Sequence, residues 1–141
     1  MLQSQVFPII SGLAGGKHIK KILKALIRHL KVKDAFCFRL NTDFEELKLD
    51  LGRAFGFAYG EKENGSVFSH MNVLLAYGLY KAGFPKEADE IIRALFKLST
   101  AKEAMILPCI PEYFNLKNQG CYPYLTGSAS WLIYSLAEQR P

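Results

Sequence analysis

A histidine closing one polar run and a Thr-Gly pair inside another are the residues of this chain best suited to chemistry. The first run reads Lys62-Glu63-Asn64-Gly65-Ser66-Val67-Phe68-Ser69-His70, the second Leu125-Thr126-Gly127-Ser128-Ala129-Ser130-Trp131. Each places polar or small residues directly before a strongly apolar helical pattern. The first N–H groups of a helix lack partners within it, and the helix dipole adds partial positive charge at the same end. Such ends bind anions. His70 at one helix start and Thr126-Gly127 at another would form an oxyanion pocket if the fold brings them together. The competing reading makes Ser69 and Thr126 ordinary caps and His70 a core histidine, since Ser and Thr are common at helix starts.

The elements that must position these groups are expected to be helices. From Val67 to Ala82 apolar residues go almost all the way round, which describes a helix buried on every side. Gly83 closes it, and Pro85 occupies the first turn of the next helix. That helix carries Glu87, Asp89 and Glu90 near its start and one apolar face of Ala88, Ile91, Ile92, Leu95 and Phe96. Buried helix, tight turn and amphipathic helix together indicate an all-α fold in two layers of helical hairpins. Met1 to Gly16 reads as an irregular or short helical lead-in, and residues 35–57 as a loop with a short extended pair. Tyr59 to Gly65 reads as a glycine-bounded loop, and Lys97 to Gln119 as a long packed loop of the functional kind. The last helix begins at Gly127 or Ser128 and carries Trp131, Leu132, Ile133 and Leu136.

With 141 residues, half of them hydrophobic, and a mean hydropathy of +0.04, the chain is one domain or a piece of one, with enough apolar surface for a real core. Its net charge of +5 is local: Lys17 to Lys33 holds seven basic residues and no acid, leaving 11 basic against 13 acidic elsewhere. Ile19, Ile22, Leu23, Leu26, Ile27 and Leu30 fall on one face of this segment, and Lys17, Lys20, Lys21, Lys24, Arg28 and Lys31 on the other. A solvated outer helix accounts for the pattern, and no aromatics interleave the charges as nucleic-acid binding would want. Neither a nucleic acid nor a membrane is expected as a partner. Cys37, Cys109 and Cys121 lack the spacing of a disulfide framework or a zinc site, so no metal and a reducing, cytoplasmic location are expected. Val6 to Ala14 is broken by Pro8, Ser11 and Gly12 and is followed by its positive charges, unlike a signal peptide.

In order and wording the two runs resemble those of the inverting disaccharide phosphorylases, the cellobiose and chitobiose phosphorylase family (glycoside hydrolase family 94). There a Lys-Glu-Asn-Gly-Gly-x-Phe-x-His run precedes a Trp/Tyr-Leu-Thr-Gly-x-Ala-x-Trp run. Here Ser66 replaces the second Gly, and the second run extends from Tyr124 to Trp131. Gln5 to Gly12, Arg39-Leu40-Asn41-Thr42 and Gly52-Arg53 are softer matches. The resemblance implies that residues 1–141 form a single domain similar to the C-terminal part of an (α/α)6 catalytic barrel. Twelve helices make such a barrel and four or five are expected here, so the ring would be partial.

The implied activity is phosphorolysis of a β-linked disaccharide to a sugar 1-phosphate, with inorganic phosphate as co-substrate and no cofactor. By the resemblance, His70, Thr126 and Gly127 fall on phosphate-contacting positions, Lys62 and Glu63 on sugar-contacting ones, and Glu112 in a sugar-lining loop. No residue matches the family's general acid, so no catalytic residue is assigned and the isolated chain is expected to be inactive. It would be a fragment or subunit, partnered by an N-terminal complement chain or by itself. Asp43, Glu45, Glu46, Asp50, Glu61 and Glu63 could supply a carboxylate pair for glycoside hydrolysis, but a charged surface loop explains most of them. The alternative is a non-catalytic helical module that binds a sugar or a protein.

Overall fold

The computed structural model describes residues 1–46, 48, 50, 52, 56–106, 109–123 and 127–139. Among these the chain forms α1 (Gln3–Ile10), α2 (Gly16–His29), β1 (Val67–Phe68), α3 (Ser69–Lys81), α4 (Pro85–Thr100), β2 (Tyr113–Phe114), β3 (Gly120–Cys121) and α5 (Gly127–Glu138), with a 3-10 turn at Lys102–Ala104. No described helix is long and apolar enough to cross a membrane.

Helix α3 is the hub, packed against α1, α4 and α5. Its sequence leaves it almost no polar face, and Val73, Leu75, Ala76 and Leu79 are completely buried. Each such large side chain contributes roughly 1.5–3 kcal/mol by leaving water. Gly78 is where α1 comes closest: a Cβ there would stand 3.1 Å from both Ile9 and Ile10 side chains. The helix stops as its sequence suggests. Gly83 adopts φ +81°, the Gly83 and Phe84 N–H groups donate to the Tyr80 and Leu79 carbonyls, and Pro85 opens α4. Helix α4 buries Ala88, Ile91, Ile92 and Leu95, whereas Phe96, expected on that face, is 44% exposed. Helix α2 buries Ile19, Leu23 and Leu26 and turns its cations outward; Ile27 joins the exposed side.

Buried polar side chains tie the layers together. Asn72 on α3 accepts from the Phe38 N–H (2.8 Å) and donates to the Phe38 and Phe68 carbonyls (2.9 and 3.0 Å). Fully satisfied, a buried amide of this kind specifies one docking geometry for the 30–40 segment. Ser135 on α5 donates to the Val73 carbonyl of α3 (3.2 Å).

The strands depart from an all-α reading. The span from Lys97 to Gln119, expected as a loop, instead begins with the last turn of α4 up to Thr100 and supplies β2 to a three-stranded antiparallel sheet of order β1-β2-β3, with Phe68 opposite Tyr113 and Tyr113 opposite Cys121. Val67 and Phe68 belong to β1, so α3 starts at Ser69, two residues after the apolar pattern begins. The pairing continues one rung further: Ser69 N–H donates to the Glu112 carbonyl (2.9 Å) and Glu112 N–H to the Tyr122 carbonyl (3.2 Å). That rung places Glu112 and Tyr122 beside the start of α3. Between residues 31 and 57 the one extended pairing among described residues is the isolated Lys31–Phe38 bridge.

Candidate functional site

The Lys62-to-His70 run begins as a tight turn. Glu61 and Asn64 form an isolated antiparallel bridge, and Lys62 between them takes a left-handed backbone, φ +49°. Buried Asn41 fixes the turn from behind: its Nδ2 donates to Asn64 Oδ1 (2.9 Å) and its Oδ1 accepts from Gly65 N–H (2.8 Å). Asn64 Nδ2 in turn donates to the Phe57 carbonyl (2.8 Å), and Arg39 to the Gly65 carbonyl (3.2 Å). Gly65 has φ +73°, and a Cβ there would lie 2.0 Å from the Tyr59 ring. The Asn-Gly of the motif is therefore scaffolding. The Ser66 hydroxyl donates back to the Lys62 carbonyl, so the serine that departs from the family wording closes the turn itself.

What the turn presents is Lys62. Its Nζ lies 3.4 Å from Glu112 Oε2 and 3.4 Å above the centre of the Tyr122 ring. Burial opposes the lysine charge, but Tyr122 and the Glu112 carboxylate outweigh it and raise the Lys62 pKa. Lysine, carboxylate and half-exposed aromatic form a mixed polar and planar surface of the kind that hydrogen-bonds a sugar. Beneath it the Tyr113 hydroxyl donates to Glu61 Oε2 (2.8 Å), and burial, reinforced by Glu61, pushes the phenol pKa up. Glu63 is partly buried.

His70 lies in the first turn of α3 and meets the first residue of α5. A Cβ on Gly127 would stand 3.1, 3.2 and 3.5 Å from Cε1, Nδ1 and Nε2 of the imidazole. The Nε2 atom is sealed from solvent with no hydrogen-bond partner among the described residues, and burial lowers the His70 pKa. An imidazole whose charged form burial disfavours thus stands at the positive end of a 12-residue helix. Thr126 lies outside the described residues. His70 is partly buried.

The two groups share one framework, because Ser69, which pairs with Glu112, immediately precedes His70. Lys62 and Glu112 are thus in direct contact, as are His70 and Gly127. Tyr122 and Tyr113 escaped sequence reasoning; only the β2–β3 pairing brings them here. The other carboxylates stay apart: Asp43 caps its own turn by accepting from Glu45 N–H (2.9 Å), and Glu46 pairs with Lys48. Among the described residues no cluster of His, Cys, Asp and Glu could hold a metal ion, and the three cysteines are free.

Two relatives are similar along nearly the whole chain. The cellobionic acid phosphorylase of Neurospora crassa is 23% identical over 150 residues, covering 97% of this chain. The solabiose phosphorylase of Paenibacillus borealis is 25% identical over 146 residues, again covering 97%. The chain spans 19% of the length of each. Residues 1–139 match the model of the glycosyl hydrolase 94 superfamily catalytic domain, and the chain therefore belongs to that superfamily.

Proposed function

We propose that this chain forms part of the cleft of a β-linked disaccharide phosphorylase, a portion of an (α/α)6 barrel built as a single domain. In this reading His70, Thr126 and Gly127 receive inorganic phosphate. Lys62, Glu63 and Glu112 hold the sugar, with Tyr122 backing the Lys62 ammonium. The observation that carries the reading is the imidazole of His70 lying against the first residue of α5. It joins the two motifs that chemistry alone would have joined. A phosphate dianion there would meet the free N–H groups of the helix start and a histidine ready to donate a charge-assisted hydrogen bond. Free cysteines suit a reducing cytoplasm.

No residue of the chain matches the general acid that must protonate the leaving oxygen. The purified chain is therefore expected to release no sugar 1-phosphate from cellobiose, chitobiose or laminaribiose with phosphate, as measured by a coupled sugar-phosphate assay. It is expected to bind phosphate in an NMR titration, with shifts centred on His70 and Gly127. Turnover well above background by the chain alone would overturn its dependence on a complement, and shifts confined to other residues would overturn the phosphate assignment.

A second reading, a non-catalytic module that binds another protein, is favoured by α5. Its outer face exposes Ile133 (70%), Tyr134 (59%) and Leu136 (42%). A partner supplying further barrel helices, or a second copy, would cover that face.

A further inference from the structure

Gly127 touches His70 on the side where any other residue would carry its side chain. Carbon atoms in favourable contact sit about 3.5–4.0 Å apart, whereas a Cβ here would come within 3.1 Å of Cε1 and 3.2 Å of Nδ1. The conflict is with the ring as a whole, not with the tip of a flexible chain. The backbone of Gly127 is outside the left-handed region, so nothing in its own conformation demands glycine. At the first position of α5 the surface beside Gly127 is the imidazole.

We propose that Gly127 is a positioning residue: its missing side chain creates the seat that holds the His70 ring against the N-terminus of α5. The ring and the first N–H groups of the helix, which lack partners within it, then face one anion. This deepens the phosphate reading above and rests on it for the identity of that anion, but the seat itself is a property of the free protein. It gives Gly127 a role separate from that of its own N–H, which any residue could supply.

A double-mutant cycle on the 141-residue chain tests this. Gly127→Ala is expected to lower the melting temperature with His70 present. It should be neutral or raise the melting temperature in a His70→Ala background, where the better helix former meets no ring. In Gly127→Ala the His70 Cε1–H NMR signal should move in the absence of any ligand. Phosphate affinity should fall about tenfold, the size of one weakened hydrogen bond to a charged group, while Gly127→Ala/His70→Ala should bind no more weakly than His70→Ala alone. If Gly127→Ala alone does not fold, recovery of the fold in the double variant supports the seat, and failure of both overturns it. An equal cost in both backgrounds, or an unmoved His70 signal, also overturns it. If the cycle and the signal behave as expected but wild-type chain binds no phosphate, the seat stands and the phosphate reading fails.

Discussion

At the scale of single residues, the site rests on backbone conformations that side chains elsewhere enforce. Gly65 must hold φ +73° directly beneath the Tyr59 ring, and Asn41 and Arg39 bind its N–H and carbonyl. Gly65→Ala adds both a left-handed penalty and a clash, so it should lower unfolding free energy by about 2 kcal/mol or more, measured as a shift in the urea midpoint. His70 provides a pH signature. Its folded pKa is depressed by burial, so the unfolded chain binds the proton more tightly. Stability from this group is fully present above the ordinary histidine range, near 6.5, and is lost as pH falls from there through the lower folded value. His70→Gln should flatten that part of the stability profile in melts recorded across mildly acidic pH. An unchanged slope would mean that His70 is not desolvated in the folded chain.

At the scale of elements, α2 and α5 are unlike each other. Helix α2 has no acid in its first turn and sets Lys17, Lys20, Lys21, Lys24 and Arg28 as neighbours along one exposed stripe. Cations at the positive end of a helix and like charges three or four residues apart both disfavour it. Its stability comes from Ile19, Leu23 and Leu26 against the core, with the cations of its first two turns working in the opposite direction. Lys20→Glu should therefore stabilise the fold by about 0.5–1 kcal/mol at low salt, with the gain shrinking as salt rises. A destabilised variant would show that the stripe has an anionic partner within the protein. Helix α5, by contrast, has a nearly apolar outer face with no charge stripe to solvate it.

At the scale of the whole molecule, that face carries a prediction about behaviour in solution. Isolated exposed apolar residues are ordinary, but Ile133, Tyr134 and Leu136 lie together on one short helix. Contiguous apolar patches mark sites of association. The chain is expected to self-associate in sedimentation velocity runs, and Ile133→Glu with Tyr134→Glu should shift it to monomer. Replacing Lys20, Lys24 and Arg28 with Glu should leave association nearly unchanged. Dependence on the basic stripe instead would assign the interface to α2.

Much of this protein is determined locally and is readable from the chain alone. The amphipathic pattern of α2, the all-round apolar character of α3, the Gly83-Pro85 junction and the start of α5 are set by contacts a few residues apart, so sequence periodicity carries them. The two motifs likewise stand out because anion chemistry needs those residue types at helix starts. Tertiary structure alone decides the rest. Strands of two residues each have no alternation to read, and their pairing depends on partners from Val67 to Cys121. Lys62, Glu112 and Tyr122 meet only because that pairing sets their register. His70 meets Gly127 only because α3 and α5 pack side by side, and no local pattern records which glycine must lack a side chain to leave room for a ring so far away in the chain.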